Sequence, residues 1–392
     1  MASTSTLRAL AASALIVAPL AQAADIHVPA DQPGIQQAIA AARDGDRVLV
    51  DPGTYAEHID FLGKNIAVQS TGGAAVTFLD GTHSGRVVTI ASGETRAALL
   101  SGFTIRNGKA EGDFGGGIHI ENASPTISGN DIVRNDACVG AGVSSDSGSP
   151  RIVRNRFSGN RATCNGGGLA VYSPVDAVVE GNLFEHNYAQ DNGAGMTARW
   201  RGRAVVAGNV FRQNTSVSSE ALDVALTKAR VVDNVVVLNP AGGMTVSDAG
   251  AHSLIDVVNN TVADNGGLNE AAFEVHGLLV ARNNVFRTSA ALRSVGCVLV
   301  RGGQADFSNN LVFATNGASM WGSCDLEGGG LVVADPEFLG GDGLHAYWLS
   351  TGSPAIDVGD DAAASHIRVD ASGAPRIVNG VVDLGAYEFR MH

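Results

Sequence analysis

The 392-residue chain has few long or aromatic side chains. Its lysines are Lys64, Lys109 and Lys228, aromatic residues make up 5% and charged residues 17%. The 50 glycines do not recur at every third position, which excludes a collagen-like triple helix. A hydrophobic content of 45% supplies a core and excludes wholesale disorder. Many small residues and few long ones favour β structure with frequent turns over a helical bundle.

The chain also lacks an apolar run long enough to cross a bilayer. The run from Ala9 to Leu20 has only about 12 residues. Because Arg8 precedes it and Ala21-Gln22-Ala23 follows it, residues 1–23 are predicted to be a secretory signal peptide cleaved after Ala23, rather than a membrane anchor. We therefore expect a secreted or periplasmic protein without a membrane span.

Positive charge is scarce as well. The chain has 39 acidic and 26 basic residues, a net charge of −13. Nucleic-acid binding depends on neutralising phosphates, so this balance disfavours a nucleic-acid partner.

What the chain does contain is a repeat. One asparagine recurs every 24 to 27 residues, at Asn130, Asn155, Asn182, Asn209, Asn234, Asn260, Asn284 and Asn310. Five residues after each stands a second polar residue: Asn135, Asn160, Asn187, Asn214, Asn239, Asn265, Ser289 and Thr315. Short β-branched or alternating stretches surround both positions, and a glycine-led stretch follows them. Each unit is therefore predicted to form three strands of three to five residues.

A unit of about 25 residues cannot bury its apolar side chains alone, so it must stack on its neighbours. Parallel stacking at about 4.8 Å per rung places equivalent residues above one another. The repeated asparagines are then predicted to form ladders of side-chain hydrogen bonds. This structural role is favoured over a row of metal or sugar ligands.

The motifs in these units resemble a known family. Phe-x-x-Asn occurs at Phe157 to Asn160, Phe184 to Asn187 and Phe211 to Asn214, and Gly-Gly-Gly precedes Ile118. Together with the opening Ile26-His-Val-Pro29, this pattern resembles the right-handed parallel β-helix proteins of the pectate-lyase-like superfamily. The repeats also look like those of polymorphic outer-membrane proteins. The resemblance implies an all-β, right-handed, three-sheet parallel β-helix.

The ends of the chain depart from the repeat. Residues 24–62 are predicted to form an N-terminal cap and first strands, with a short amphipathic helix from Ile35 to Arg43. Residues 63–339 are predicted to form the β-helix, and residues 340–392 an irregular C-terminal capping tail. Because an open solenoid exposes sheet edges at both ends, such caps are expected. The prediction is one elongated domain of 11 or 12 rungs.

Four cysteines in an exported protein suggest disulfides. Cys138 and Cys164 occupy neighbouring positions on adjacent rungs, and so do Cys297 and Cys324. This spacing favours the pairs Cys138–Cys164 and Cys297–Cys324. Buried free thiols remain the alternative. No paired spacing typical of a metal site occurs, and no metal or cofactor is predicted.

The resemblance makes the glycine-led strand the candidate site, because relatives that act on polysaccharides hold substrate along one sheet. The period of two places the following residues on its outer face: His119, Ser144, Asp146, Tyr172, Thr197, Arg199, Asp223, Thr245, Ser247, Glu274 and His276. Preceding loops add Lys109, Glu111, Asp113, Tyr188, Asp191 and Glu220. The candidate catalytic residues are Tyr172, Arg199, Asp223, Glu274 and His276.

Two chemistries can be assigned to them. Asp223 and Glu274, two rungs apart, could serve an inverting hydrolase, which needs carboxyl groups about 6.5 to 9.5 Å apart. A lyase would use Tyr172 or His276 as base and Arg199 as the cation that holds a uronate carboxylate. However, the Asn-Thr-Asp and Gly-His-Gly motifs of polygalacturonases and the Asp-Pro-His of alginate epimerases are missing, and Lys228 is expected to lie just beyond its strand.

Two functions therefore remain open. One is an exported protein that binds or processes an extended polysaccharide or cell-surface glycan, as a lyase or hydrolase. The other is a non-catalytic surface or adhesive solenoid. The oligomeric state is not readable from the sequence.

Overall fold

A computed structural model describes residues 23–391, except 218–219, 249, 251, 290–292, 301, 316–319 and 326–328. Apart from Ala23, the predicted signal peptide lies outside the described residues. The described chain is an elongated parallel β-solenoid of eleven turns, each of which contributes one strand to an 11-stranded sheet. This confirms the predicted fold class.

The strands form four rows, which we name by their position in the turn. The Gly-led row consists of Ile59–Asp60, Val88–Ile90, Ile118–Glu121, Val143–Gly148, Leu169–Pro174, Met196–Ala207, Leu222–Val232, Met244–Asp248, Asn269–Val275, Arg293–Leu299 and Met320–Gly322. The second row consists of Asp25–Val28, Arg47–Val50, Ala67–Ser70, Leu99–Ser101, Thr126–Ser128, Arg151–Val153, Ala177–Glu180, the C-terminal halves of Met196–Ala207 and Leu222–Val232, Leu254–Val258, Leu278–Arg282 and Gln304–Ser308. The third row consists of Gly53–Tyr55, Thr77–Asp80, Thr104–Arg106, Asp131–Val133, Arg156–Ser158, Leu183–Glu185, Val210–Arg212, Val235–Val237, Thr261–Ala263, Val285–Thr288 and Leu311–Ala314. The fourth row consists of Lys109–Phe114, Asp136–Val139, Arg161–Ala162, Tyr188–Ala189 and Thr215–Ser216.

By hydrogen bonding these rows make three parallel sheets of 21, 11 and 5 strands. The Gly-led and second rows merge because Met196–Ala207 and Leu222–Val232 run through both rows. These strands have 12 and 11 residues, and five others, among them Asn269–Val275 and Arg293–Leu299, have six or seven, so the prediction of at most five residues was wrong in these seven strands. Lys228 was predicted beyond its strand and instead lies within Leu222–Val232. The fourth row was not predicted.

Two asparagine ladders run along the corners on either side of the third row. Each asparagine donates its amide to a carbonyl of the previous rung and to the side-chain oxygen of the next asparagine, as Asn155 does to Ile127 and Asn182. The ladder asparagines follow corner residues in the left-handed conformation, such as Arg154 with φ of 53°. The predicted structural role is confirmed for both ladders.

The second ladder ends earlier than the sequence predicts. Asn265 passes its hydrogen bonds to the buried carboxylate of Glu270, which accepts from its backbone and side-chain nitrogens at 2.8 and 2.7 Å. Ser289 and Thr315, the polar residues predicted to continue the ladder, are exposed. Glu270 therefore supplies the last acceptor of this ladder.

Apolar side chains of three rows fill the interior. Phe157, Phe184 and Phe211 stack on successive rungs with ring centroids 4.6 and 4.7 Å apart. This spacing equals the rise between rungs, so identical side chains stack without a gap. A small alanine cluster lies separately under the fourth row.

The N-terminal helix, Ile35–Ala41, buries Ile35, Ala38 and Ile39 against the first turn. The Glu57 carboxylate accepts from the backbone nitrogens of Ile35 and Gln36 at 3.0 and 2.9 Å, which satisfies donors that the helix start leaves free. The predicted amphipathic helix is thus present at this end.

The tail beyond residue 340 folds back along the outer side of the third row. It contains the 3-10 helix Leu344–Tyr347, the α-helix Asp361–Ala364 and a hairpin of Ile377–Val378 with Val381–Val382. Tyr347 and Tyr387 pack on the outward side chains of Val235 and Val237. The tail therefore covers an apolar flank of the solenoid, a placement that the sequence pattern does not indicate.

One buried arginine fastens this tail. The Arg376 guanidinium donates to Asp233 Oδ1 at 3.2 Å, to Glu388 Oε2 at 2.8 Å and to the carbonyl of Gly385 at 3.0 Å. Asp233 lies at a solenoid corner 143 residues earlier in the chain.

All four cysteines form disulfides. Cys138 is bonded to Cys164 and Cys297 to Cys324, with Cα atoms 4.9 and 5.6 Å apart. The predicted pairing is confirmed, against the alternative of free thiols. Disulfides persist in oxidising compartments, so they indicate a location outside the cytoplasm. Across the described residues, no helix combines the length and apolarity that a membrane crossing requires.

Candidate functional site

The outer face of the Gly-led row carries two lines of side chains. Strand register aligns the first line as His119, Ser144, Ala170, Thr197, Asp223, Thr245 and Ala272. It aligns the second as Glu121, Asp146, Tyr172, Arg199, Ala225, Ser247 and Glu274. The predicted outward residues thus occupy one face in two lines with different surroundings, except His276, which follows the end of its strand at Val275.

Part of the first line is covered by glycine turns. A Cβ atom on Gly115 would lie 2.8 Å from the Cα of His119, and one on Gly140 would lie 2.8 Å from the Cα of Ser144. Both glycines also have positive φ, at 64° and 58°. Only glycine allows the turn to lie so close to the strand, so outward orientation here does not bring solvent exposure.

The covered side chains retain unsatisfied polar atoms. His119 Nδ1 and Ser144 Oγ are buried and have no hydrogen-bond partner among the described residues. Burial and the nearby Arg86 lower the pKa of His119, so its ring is neutral near pH 7.

The accessible centre of the face is an aromatic pair. The ring of Trp200 lies on that of Tyr172 with centroids 4.2 Å apart and planes tilted by 36°. Trp200 is 54% exposed, whereas Tyr172 is buried and packs beside the Cys138–Cys164 disulfide. Burial raises the pKa of Tyr172 to about 12, so it is a poor general base near neutral pH.

Trp200 reaches this position through a backbone irregularity. Ala198 faces the core, and the period of two would turn Trp200 inward as well, in line with its buried register partner Leu226. Instead Trp200 adopts a φ of 79°, and the register shifts between it and Arg203. A bulge of this kind re-aims a side chain, and a bulky residue at positive φ is strained, which points to a function for its exposed ring.

Sequence analysis missed Trp200. The signal in the sequence was a tryptophan between two arginines, Arg199-Trp200-Arg201, in a chain with three tryptophans. The alternation rule hid it, because a bulge cannot be read from the pattern.

Arg199 and Asp223 meet beside the aromatic pair. Asp223 Oδ2 accepts from Arg199 Nε and Thr197 Oγ1, both at 2.5 Å, and the carboxylate is 1% exposed. Burial opposes the charge of Arg199, but Asp223, Glu220 and Tyr172 together raise the pKa of its guanidinium. Asp223 Oδ1 is buried without a partner among the described residues. Asp223 thus holds Arg199 in place and is not itself accessible.

A basic depression adjoins Trp200 at the bend into the second row. Arg201, Arg203 and Lys228 line an open cavity of about 430 Å³ together with Ser173 to Val175. Arg203 pairs with Asp176 at 3.0 Å. These positive groups lie on the strand of Trp200 and on its neighbour, on a chain that is acidic overall.

The candidates Glu274 and His276 form a second group three rungs from Arg199. His276 Nδ1 lies 3.0 Å from Asp248 Oδ1, and its Nε2 lies 3.9 Å from Glu274 Oε1. Asp248 is buried and also accepts from the backbone nitrogens of His276 and Gly277. It orients the imidazole, a role that sequence analysis did not assign.

The structure does not bring Asp223 and Glu274 together. Asp223 aligns with Thr245 and Ala272, whereas Glu274 lies two residues further along its strand. Two rungs of about 4.8 Å and two residues of about 3.3 Å place their backbones about 12 Å apart. Since Asp223 is buried and the Glu274 side chain is 60% exposed, this arrangement does not suit an inverting pair.

The loop candidates engage neighbours close to their own positions. Lys109 pairs with Glu111 at 2.6 Å, and Asp113 pairs with Arg86. Arg161 lies over the ring of Tyr188 at 4.5 Å. These contacts hold the loops beside the fourth row.

Comparisons with known proteins agree with this architecture. The family described as "Right handed beta helix region" matches residues 65–328. A solved structure, "Crystal structure of pectate lyase Pel9A", superposes with a TM-score of 0.60 at 14% identity, covering 95% of this chain and 98% of that one. A search of curated proteins finds no match. At such identity the structural similarity shows the fold alone.

Proposed function

The chain belongs to the right-handed β-helix family, and from this premise we propose that it binds an extended acidic polysaccharide along the outer face of its Gly-led row, outside the cytoplasm. The observation that carries the proposal is the exposed Trp200, which a strained bulge holds over Tyr172. Pectate, for which the structurally similar lyase Pel9A is named, is a polymer of this class. Export through a cleaved signal peptide at residues 1–23 is part of the proposal.

An exposed, preorganised indole suits the apolar face of a sugar ring. Trp200 presents one flat face of its indole ring. Because the other face packs on Tyr172, the side chain has little conformational freedom to lose on binding. Binding therefore costs little side-chain entropy.

The charges around Trp200 favour an acidic polymer over a neutral one. Arg199 lies next to it in the chain, and Arg201 and Lys228 line the adjoining depression. Arg guanidinium groups hold carboxylates through paired hydrogen bonds, so the basic groups on this strand suit the uronate carboxylates of a polymer that passes Trp200.

A specific observation favours β-elimination as a second candidate function. His276 is oriented by Asp248, and its Nε2 faces the exposed Glu274, so the imidazole could remove the proton next to a uronate carboxylate. Inverting hydrolysis is less compatible with the geometry, because Asp223 is buried against Arg199.

Binding is tested with an array of acidic and neutral polysaccharides, followed by calorimetry with the ligand that binds. Trp200→Ala should weaken binding by about tenfold, since a lost stacking contact is worth about 1 kcal/mol or more. The matched control is Trp321→Ala: Trp321 is 52% exposed, lies on the same row and stacks on Arg293. Equal effects of the two variants, or no binding to any polymer, would contradict the proposal.

Elimination is tested separately by the ultraviolet absorbance of unsaturated products. His276→Ala should abolish product formation while binding persists. Activity that survives this substitution would assign the base elsewhere, without affecting the binding proposal.

A further inference from the structure

A second cavity lies away from the Gly-led row, between the tail and the outer face of the second row. We name it the tail pocket. It has a volume of about 580 Å³, within the range of small-molecule sites. One wall is the tail segment from His366 to Gly373, and the floor consists of small side chains, including Val205, Ala207 and Gly208.

The tail wall is held by hydrogen bonds within the tail. Asp370 accepts from the backbone of Ser372 within the segment, and from Ala374, Glu388 and Arg390 beyond it. The segment continues directly into Arg376, whose guanidinium is bonded to the solenoid corner at Asp233. The cavity is thus a preformed space between two anchored parts of the chain.

Basic side chains dominate its rim. Arg154 and Arg230 approach from the solenoid, and Arg368 and His366 from the tail. None of the three guanidinium groups forms an ion pair with a residue in the described part of the chain. By contrast, the rim carboxylate of Glu180 is already paired with Arg151 at 3.1 Å.

Three further carboxylates belong to these surroundings. Asp233 and Asp370 also line the cavity, but Asp233 is paired with Arg376 and Asp370 with Arg390. The third, Asp256, lies beside the cavity. Burial raises the pKa of Asp256, while Arg230, Arg282 and His366 act in the opposite direction. Asp256 is therefore shared among several cations and does not neutralise the rim. Three arginines without an ion pair among the described residues thus converge on one cavity of a chain whose net charge is −13.

We propose that the tail pocket binds a small anionic ligand, a phosphate or carboxylate group on a compact body that covers the small-residue floor. Guanidinium groups bind such oxyanions through charge-assisted hydrogen bonds. The volume admits a ligand of about one or two sugar units. Because one wall is the tail, the bound ligand would also hold the tail against the solenoid.

The experiment is calorimetry of the mature protein with inorganic phosphate, glucose 6-phosphate, glucuronate and neutral glucose. Saturable binding is expected for at least one anion and not for glucose. Comparison of phosphate with glucuronate shows whether the pocket prefers a phosphate or a carboxylate group. Arg154→Gln and Arg230→Gln should each weaken binding about tenfold or more, as expected for a lost charge-assisted hydrogen bond.

The chain offers a matched control in Arg134→Gln. Arg134 and Arg154 both occupy corners, with φ of 54° and 53°, and each side chain lies over a glycine of the next rung, Gly159 or Gly181. Only Arg154 lines the tail pocket. Glutamine already adopts this backbone conformation at Gln213, so the substitutions are compatible with folding.

The outcomes separate this site from the Gly-led row. Anion binding that Arg154→Gln weakens and that Arg134→Gln and Trp200→Ala leave unchanged would support the tail pocket. Absence of saturable anion binding, equal effects of Arg134→Gln and Arg154→Gln, or loss of binding in Trp200→Ala would each overturn it.

Discussion

Replacing one ladder asparagine by alanine, Asn187→Ala, should lower the free energy of unfolding far more than the same replacement of an asparagine in a surface turn. Asn187 is fully buried, and its amide donates to Phe157 O and Asn214 Oδ1, both at 3.0 Å. Its oxygen accepts from the backbone and side-chain nitrogens of Asn160 at 3.1 and 2.9 Å. The substitution removes all four bonds and leaves nothing of similar shape behind.

The expected loss follows from those partners. The Asn160 backbone N–H loses its acceptor, at about 1 to 3 kcal/mol for a buried unsatisfied group. Asn160 Nδ2 keeps Ile132 O, and Asn214 Oδ1 keeps the Asn187 N–H, so these lose one of two bonds. Each such loss, and that at Phe157 O, is worth about 0.5 to 1.5 kcal/mol. The free energy of unfolding should fall by about 2.5 to 7.5 kcal/mol.

The control is Asn192→Ala. Asn192 also bonds another asparagine, donating to Asn165 Oδ1 at 2.8 Å, but both are only partly buried. Water can replace this bond, so the expected loss is below about 1 kcal/mol.

Urea unfolding, followed by circular dichroism, compares the wild type, Asn187→Ala and Asn192→Ala. The comparison requires that the unfolding free energy depends on urea concentration with the same slope in all three proteins. Because solenoids can unfold in segments, hydrogen exchange at the backbone N–H of Asn160 measures the stability of this rung separately. The ladder interpretation would be wrong if Asn187→Ala lost no more stability than Asn192→Ala, or if the exchange of the Asn160 amide were unchanged.

Three further predictions concern other parts of the chain. Burial raises the pKa of Glu270 to about 8, above the unfolded value near 4.3. The protonated carboxyl group therefore stabilises the fold fully below about pH 4, and this stabilisation is lost as the pH rises through about 8. Glu270→Gln should remove this part of the pH dependence of the free energy of unfolding in urea titrations, and an unchanged pH profile would contradict the prediction. Arg376→Met should leave the buried carboxylates of Asp233 and Glu388 unpaired, at about 3 to 5 kcal/mol, and should expose the tail to limited proteolysis; equal protease resistance of variant and wild type would refute the anchoring role. Replacing both Cys138 and Cys164 by serine removes the cross-link between residues separated by 26 positions, and should lower the free energy of unfolding by about 3.5 kcal/mol. A reducing agent should then cause no further loss of stability through this disulfide.

The regular part of the molecule was predictable because repetition carries it. The spacing of Asn130, Asn155 and Asn182 indicates the rung length, and residues at equal offsets then lie above one another whatever the details of the turns. The same reasoning gave the disulfide pairs, since equal offsets on adjacent rungs bring Cys138 close to Cys164.

The candidate site was predictable only in part. Alternation places Tyr172, Arg199 and Asp223 outward on neighbouring strands, and the register aligns Tyr172 with Arg199 and Asp223 with Thr197. It does not reveal what covers a side chain, so the burial of Asp223 was not foreseen. It also fails at Trp200, where the bulge reverses the direction of the ring.

The sequence by itself therefore determined the period, the stacked rungs, the ladders and the face on which most side chains lie, because these depend on local repetition. Only the tertiary structure decided where the second ladder stops at Glu270 and where the tail docks through Arg376. It also decided which polar side chains on the outer face remain accessible. Those features depend on single contacts between parts of the chain far apart in sequence, and no periodic pattern records them.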